Sequence, residues 1–158
     1  MHLDHDEAIR RAAAADHGVL ATINLTGAPD LVPACFAIVD AAVVIPIDSV
    51  KPKASTALGR IRNLERDPRA TLLVQQWDAR DWSRLWWVRM SLVRADVPAE
   101  LAQLLIAALR ARYPQYASVE FDAVLTFRID RIVGWEAASW DLGSRSSRRP
   151  AQAWPRST

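Results

Sequence analysis

Between Gly18 and Ile47 three β-patterned runs follow one another, joined by connections too short to hold a crossover helix. Such runs can only pair antiparallel. Val19, Ala21, Ile23 and Leu25 alternate with Thr22 and Asn24, which predicts a half-buried strand. Thr26-Gly27-Ala28-Pro29 makes a turn, and Leu31 to Val39 reads as a second strand whose Pro33 marks an edge or bulge. Asp40-Ala41-Ala42 leads into a third strand, Val43 to Ile47, so the three are expected to form a meander.

Helical spacing surrounds this core. One helix is expected from Asp4 to Ala15, stopped by Gly18, and another from Ser55 to Arg66, ended by Asp67-Pro68. A third opens at Pro98 and carries Leu101, Leu104, Leu105, Ala108 and Leu109. Further strands are expected at Ala70 to Gln76, at Arg84 to Arg94, and from Leu125 towards Trp135. The order α-β-β-β-α-β-β-α-β predicts an α+β domain, most simply a small six-stranded, mostly antiparallel barrel with flanking helices. In a chain of 158 residues, 51% of them hydrophobic, that is one domain, placed at residues 1–138. Residues 139–158 lose all apolar period and are expected to be a flexible tail.

Charge narrows the function. The formal net charge is +2, but the tail holds Arg145, Arg148, Arg149 and Arg156 against Asp141 alone, so the domain itself is close to neutral. A nucleic-acid partner is therefore not expected. No apolar run is long enough for a membrane helix, no leader pattern opens the chain, and the single cysteine, Cys35, excludes an internal disulfide. A cytoplasmic protein is the expectation. His2 and His5 have a ligand-like spacing at the end of the chain, where a solvated role is expected and no metal site. Cys35 has no nearby cation to activate its thiol and reads as a small buried apolar residue. No acid–base pair, catalytic triad or phosphate-cradling glycine loop is present, so no catalytic residue is named.

Two features point to a ligand. The only lysines, Lys51 and Lys53, lie where the third strand gives way to the second helix, in Asp48-Ser49-Val50-Lys51-Pro52-Lys53. Helix N-terminal amides favour anions, and Arg60 and Arg62 follow on the same helix. The second feature is Trp77-Asp78-Ala79-Arg80-Asp81-Trp82-Ser83-Arg84-Leu85-Trp86-Trp87, four tryptophans with interleaved arginines, which reads as an interface or a ligand wall. Trp86 and Trp87, adjacent on a strand, must face opposite ways.

Residues 18–136 resemble the flavin-binding split-barrel superfamily that contains pyridoxamine 5′-phosphate oxidase, and within it the branch that binds the deazaflavin coenzyme F420. The resemblance is carried by Gly18-Val19-Leu20-Ala21-Thr22-Ile23, by Gly27-Ala28-Pro29 with Val32-Pro33-Ala34-Cys35-Phe36, and by Arg62 to Val74. Asp81-Trp82-Ser83-Arg84-Leu85-Trp86-Trp87-Val88-Arg89 adds a subgroup signature. It implies a split barrel, a homodimer with cofactor sites between subunits, and hydride transfer to or from a small organic substrate. It also implies cofactor contacts at Pro33, Ile47, Ser49, Lys51, Lys53, Arg60, Asn63, Trp77 and Trp87. FMN is the second choice, because the family's FMN enzymes place cations on the second strand whereas residues 12–50 here contain neither Lys nor Arg. A non-catalytic cofactor carrier or sensor is the remaining alternative.

Overall fold

The computed structural model describes residues 1–47, 56–119, 121 and 123–137. In chain order the elements are β1 (His2–Leu3), α1 (His5–Ala14), β2 (Gly18–Ile23), β3 (Pro29–Ala34), β4 (Ala37–Val39) and β5 (Ala42–Ile47). There follow α2 (Thr56–Arg66), β6 (Arg69–Gln76), β7 (Trp86–Arg94), α3 (Ala99–Arg112) and β8 (Ala123–Glu136), with 3-10 turns at Trp82–Arg84 and Pro114–Tyr116.

The fold is α+β, with all strands in one antiparallel sheet ordered β3-β2-β6-β7-β8-β5-β4, and β1 paired to β8. The expected count of six strands is corrected to eight among the described residues. The N-terminal residues add β1, and the run Leu31 to Val39 breaks into two strands at Cys35-Phe36. The expected meander is corrected with it: β3 pairs with β2, whereas β4 pairs with β5 at the other end of the path.

That break determines the shape. Laid flat, seven strands at about 4.8 Å spacing would separate β3 from β4 by about 29 Å. Yet Ala34 and Ala37 are three residues apart, a reach of about 11 Å. The sheet must curl until its two ends nearly meet, giving a barrel with a seam at Cys35-Phe36. Phe36 is fully buried there, and its main chain is satisfied by one side chain. The Tyr113 hydroxyl accepts from the Phe36 amide at 3.1 Å and donates to the Phe36 carbonyl at 3.1 Å. Arg112 lies over the Phe36 ring, 5.3 Å from its centroid, and donates to the Ala13 carbonyl. Cys35 beside the seam is half-buried, not buried as expected, because a residue leaving a ladder no longer sits squarely in the core.

Two apolar clusters follow from closure. The inner one collects Leu20, Phe36, Val43, Ile45, Leu72, Val74, Val88, Met90, Leu92 and Phe127, with Ala8 and Ala12 of α1 and Leu64 of α2. Small alanines let α1 approach closely, and Asp4 caps it by accepting from the Glu7 amide at 2.8 Å. Gly134 serves the same need, since a Cβ there would meet the Leu3 side chain at 2.8 Å. The second cluster lies outside the barrel wall, where Leu105 and Leu109 of α3 cover Ala37, Ala42 and Val44. This explains why every residue of β5 is buried while strands elsewhere alternate.

Other boundaries moved for local reasons. The first strand stops at Ile23, leaving Leu25 84% exposed, because the Asn24 side chain accepts from the Thr26 and Ala28 amides and builds the turn; Gly27 takes φ 84° within it. The strand expected from Arg84 begins at Trp86, because Asp78 accepts from the Arg80 and Asp81 amides and Asp81 accepts from the Ser83 amide.

Replacing Tyr113 with Phe strands both polar groups of Phe36 and is expected to cost about 1–3 kcal/mol, lowering Tm by roughly 2–12 °C in a scan at neutral pH. Burial pushes the Tyr113 hydroxyl up from its ordinary value of 10.0. The folded state therefore holds this proton more tightly than the unfolded chain. The resulting stability is complete below that ordinary value and is lost as pH rises through the folded one. Urea unfolding from pH 8 upwards should show a shallower alkaline decline in Tyr113→Phe than in the parent.

Candidate functional site

Asn24, which shapes the β2–β3 turn, also donates from Nδ2 to Asp30 Oδ1 at 2.9 Å. The other oxygen of Asp30 accepts from Asn63 Nδ2 at 2.9 Å, and the same Nδ2 reaches Thr22 Oγ1 at 3.1 Å. Thr22 and Asn63 are buried while Asp30 is exposed, so the relay Asn24–Asp30–Asn63–Thr22 ties α2 to the β2–β3 hairpin from the surface inwards. Hydrogen bonds from Asn24 first and Asn63 second hold the Asp30 carboxyl below the usual carboxylate range.

This tie sets the cleft between α2 and the edge strand β3. Thr22, Pro29, Asp30, Leu31, Val32, Gly59, Arg60 and Arg62 line a hollow of about 470 Å³. Among the described residues its cationic side chains come from the helix; β3 supplies apolar walls and one carboxylate. Such a hollow suits a ligand with a flat apolar part and anionic groups reaching towards α2.

The sequence-derived site residues fall in several places. Arg60 lines this cleft, and Asn63 stands beside it with its amide nitrogen committed to Thr22 and Asp30. Pro33 is exposed on the outward side of β3, opposite Val19. Ile47 ends β5 with its side chain in the inner core. Ser49, Lys51 and Lys53 lie outside the described residues. Trp77 is 69% exposed and lines a separate hollow of about 510 Å³ with Arg10, Asp16, His17, Gln76 and Trp86. Trp86 and Trp87 face opposite ways, as expected. Trp86 packs against the inner core and donates from Nε1 to Gln76 at 2.9 Å, with the Arg11 guanidinium 5.8 Å from its ring centroid. Trp87 stands on the outward face between Gln75 and Trp135. Asp30 and Thr22 escaped the sequence reading; the one available signal was a threonine at a core-facing strand position, where a hydroxyl needs a partner.

Among the described residues no group of His, Cys, Asp and Glu could hold a metal ion, and no helix is long and apolar enough to cross a membrane.

No family model matches the sequence, and no curated protein matches it. Solved structures do. The fold is similar to that of Rv2991, a conserved hypothetical protein from Mycobacterium tuberculosis (TM-score 0.68, 19% identity, covering 93% of each chain). It is also similar to a FAD-binding protein from Mesorhizobium loti (TM-score 0.61, 16% identity, 85% of this chain and 93% of that one). A third is an FMN-binding protein from Syntrophomonas wolfei (TM-score 0.60, 13% identity, 82% and 86%). Heme-binding proteins share the architecture as well. At these identities the likeness establishes the fold, a split barrel, and nothing of what binds to it.

Asn63→Ala removes the donor that joins Thr22 to Asp30 inside the protein and is expected to destabilise by about 1–3 kcal/mol, read as a lower urea midpoint with an unchanged m-value. Because hydrogen bonding depresses the Asp30 pKa, its contribution is present above the ordinary carboxylate range and fades as pH falls through the folded value. Part of the acid-side loss of stability should therefore be missing in Asn63→Ala.

Proposed function

We propose that the protein is a deazaflavin (coenzyme F420)-dependent oxidoreductase that works as a homodimer on a small organic substrate. The observation that carries this reading is the charge layout of the α2–β3 cleft: guanidinium groups on the helix, none on the strand. A flavin mononucleotide ends in a phosphate dianion that needs cations close together at one point. A deazaflavin instead carries a phosphodiester followed by glutamates, which suits cations strung along a groove. Arg60 and Arg62 stand at one stretch of such a groove, and Lys51 and Lys53 enter the chain just before α2.

When bound, the deazaflavin supplies the hydride chemistry itself. The chain's own work is positional. Pro33 and the apolar residues of β3 offer a flat wall and Arg60 with Lys51 and Lys53 meets the anionic tail, while Trp77 and Trp87, which stand away from this cleft, would shield the ring bound to the other subunit of the dimer. Ser49 lies in the same lysine segment and adds a hydroxyl donor. Asn63 keeps α2 in register with the hairpin, through the bonds already described. No side chain is assigned an acid or base role.

An FMN-dependent oxidase or reductase is the second reading, favoured by the flavin-binding proteins of the same fold. Titration with each cofactor separates the two, and tighter binding of F420 than of FMN is the expected result. Tighter FMN binding would install the second reading. Loss of one charged hydrogen bond costs about 1.5–3 kcal/mol, so Lys53→Ala should weaken F420 binding by roughly 10- to 150-fold. Added salt should narrow the gap. Sedimentation velocity should show a dimer at micromolar concentration; a monomer that binds F420 with full affinity would refute the shared site.

A further inference from the structure

Asp30 stands on β3 opposite Thr22, exposed on the strand side of the cleft whose helix side carries Arg60 and Arg62. It is the one acid among the described residues that line this hollow. Its neighbours dictate its chemistry. Asn24 Nδ2 donates to one of its oxygens at 2.9 Å, and Asn63 Nδ2 donates to the other at 2.9 Å. An amide in its place offers a single oxygen and turns an NH2 group towards one of the two donors. The relay therefore requires a carboxylate.

Both donors are neutral amides, which hold the charge in place without cancelling it. Among the described residues no ion pair involves Asp30. Arg66 acts on it through space and gives a guanidinium nitrogen to the Ile23 carbonyl. The hydrogen bonds from Asn24 and Asn63 keep the carboxyl ionised at neutral pH. A negative charge thus stands across the cleft from the cations of α2. An anion drawn to the helix is repelled by it, and the repulsion grows with the anion's own charge. A phosphomonoester carries about two charges above neutral pH, whereas a phosphodiester carries one.

We propose that Asp30 is a specificity-determining residue of this cleft. Its charge biases the cleft towards singly charged phosphodiesters and against dianionic phosphomonoesters. This rests on the cofactor reading above and adds to it the residue that separates the two candidate cofactors. A β3 without cations withdraws attraction from a monoester; Asp30 adds repulsion, from a group that the hairpin needs for its own hydrogen bonds.

Fluorescence titration of the full chain with FMN, riboflavin and F420 tests it, at pH 8 and low ionic strength so that screening is weak. Riboflavin has the ring of FMN without the phosphate, so the ratio of their dissociation constants isolates that group. Asp30→Asn should tighten FMN by about tenfold and F420 by about threefold, in keeping with half the charge, and leave riboflavin unchanged. Leu31 lines the cleft at an exposed position outside the relay. Leu31→Lys should therefore also favour FMN, and Leu31→Gln should not. Asn63→Ala breaks the tie but keeps the charge, so the ratio of FMN to F420 affinity should stay that of the parent. The same change of ratio in Asn63→Ala as in Asp30→Asn would make Asp30 a purely positional residue and overturn the proposal. So would an FMN-to-riboflavin ratio that neither Asp30→Asn nor Leu31→Lys alters. Tighter FMN than F420 in the parent would overturn the cofactor reading alone, since the FMN and riboflavin comparison still decides what the charge of Asp30 does. No binding of any of the three to any variant would overturn both.

Discussion

Two residues, Cys35 and Phe36, join strands that stand at opposite ends of a seven-strand path, and this connection governs the rest of the molecule. A closed wall has one inside, which the apolar faces of the strands fill together with the alanines of α1 and Leu64 of α2. It also has a seam, where backbone groups leave the ladder and need other partners. The Tyr113 hydroxyl meets both needs of Phe36 at once, which a phenol can do because it donates and accepts. Since Tyr113 directly follows α3, the seam also fixes that helix over β4 and β5. The covering of this part of the wall is thus tied to the seam.

Much of this was legible in the sequence. Period-two runs located every long strand, helical spacing located all three helices to within a residue or two, and the short connections required antiparallel pairing. The break inside Leu31 to Val39 was not legible, because its apolar residues continue through the seam without a glycine or a polar cluster to mark it. The run of nine residues reads as one strand from composition alone. Only the identity of its partners divides it, and pairing is a long-range property. β1 was invisible for the same reason: two residues, His2 and Leu3, are a strand only because Trp135 and Gly134 lie beside them.

The site was legible in part. The tryptophan segment was marked by composition, and the opposite orientation of Trp86 and Trp87 follows from strand geometry. Asn63 was marked by resemblance as a ligand contact, whereas its geometry shows a positional duty, since its amide nitrogen lies between Thr22 and Asp30. A local reading cannot foresee this, because the residues involved come from β2, β3 and α2.

The relay from Asn24 to Asn63 explains how a hairpin turn can shape a cleft lined by residues some forty positions further along the chain. Asn24 spends its oxygen on the turn amides and its nitrogen on Asp30, so the turn and the carboxylate are fixed together. Asp30 divides its two oxygens between Asn24 and Asn63, and Asn63 sits one helical turn beyond Arg60. Each bond restricts the next, and the direction in which α2 presents its cations follows from a turn sequence chosen for its own backbone reasons. Among split barrels that hold FAD, FMN or heme the wall is common property. What differs is which element brings the charge and how firmly it is held. In this chain the cations of the cleft come from a helix tied at a buried amide, so it is the tie, more than the barrel, that fixes where they stand.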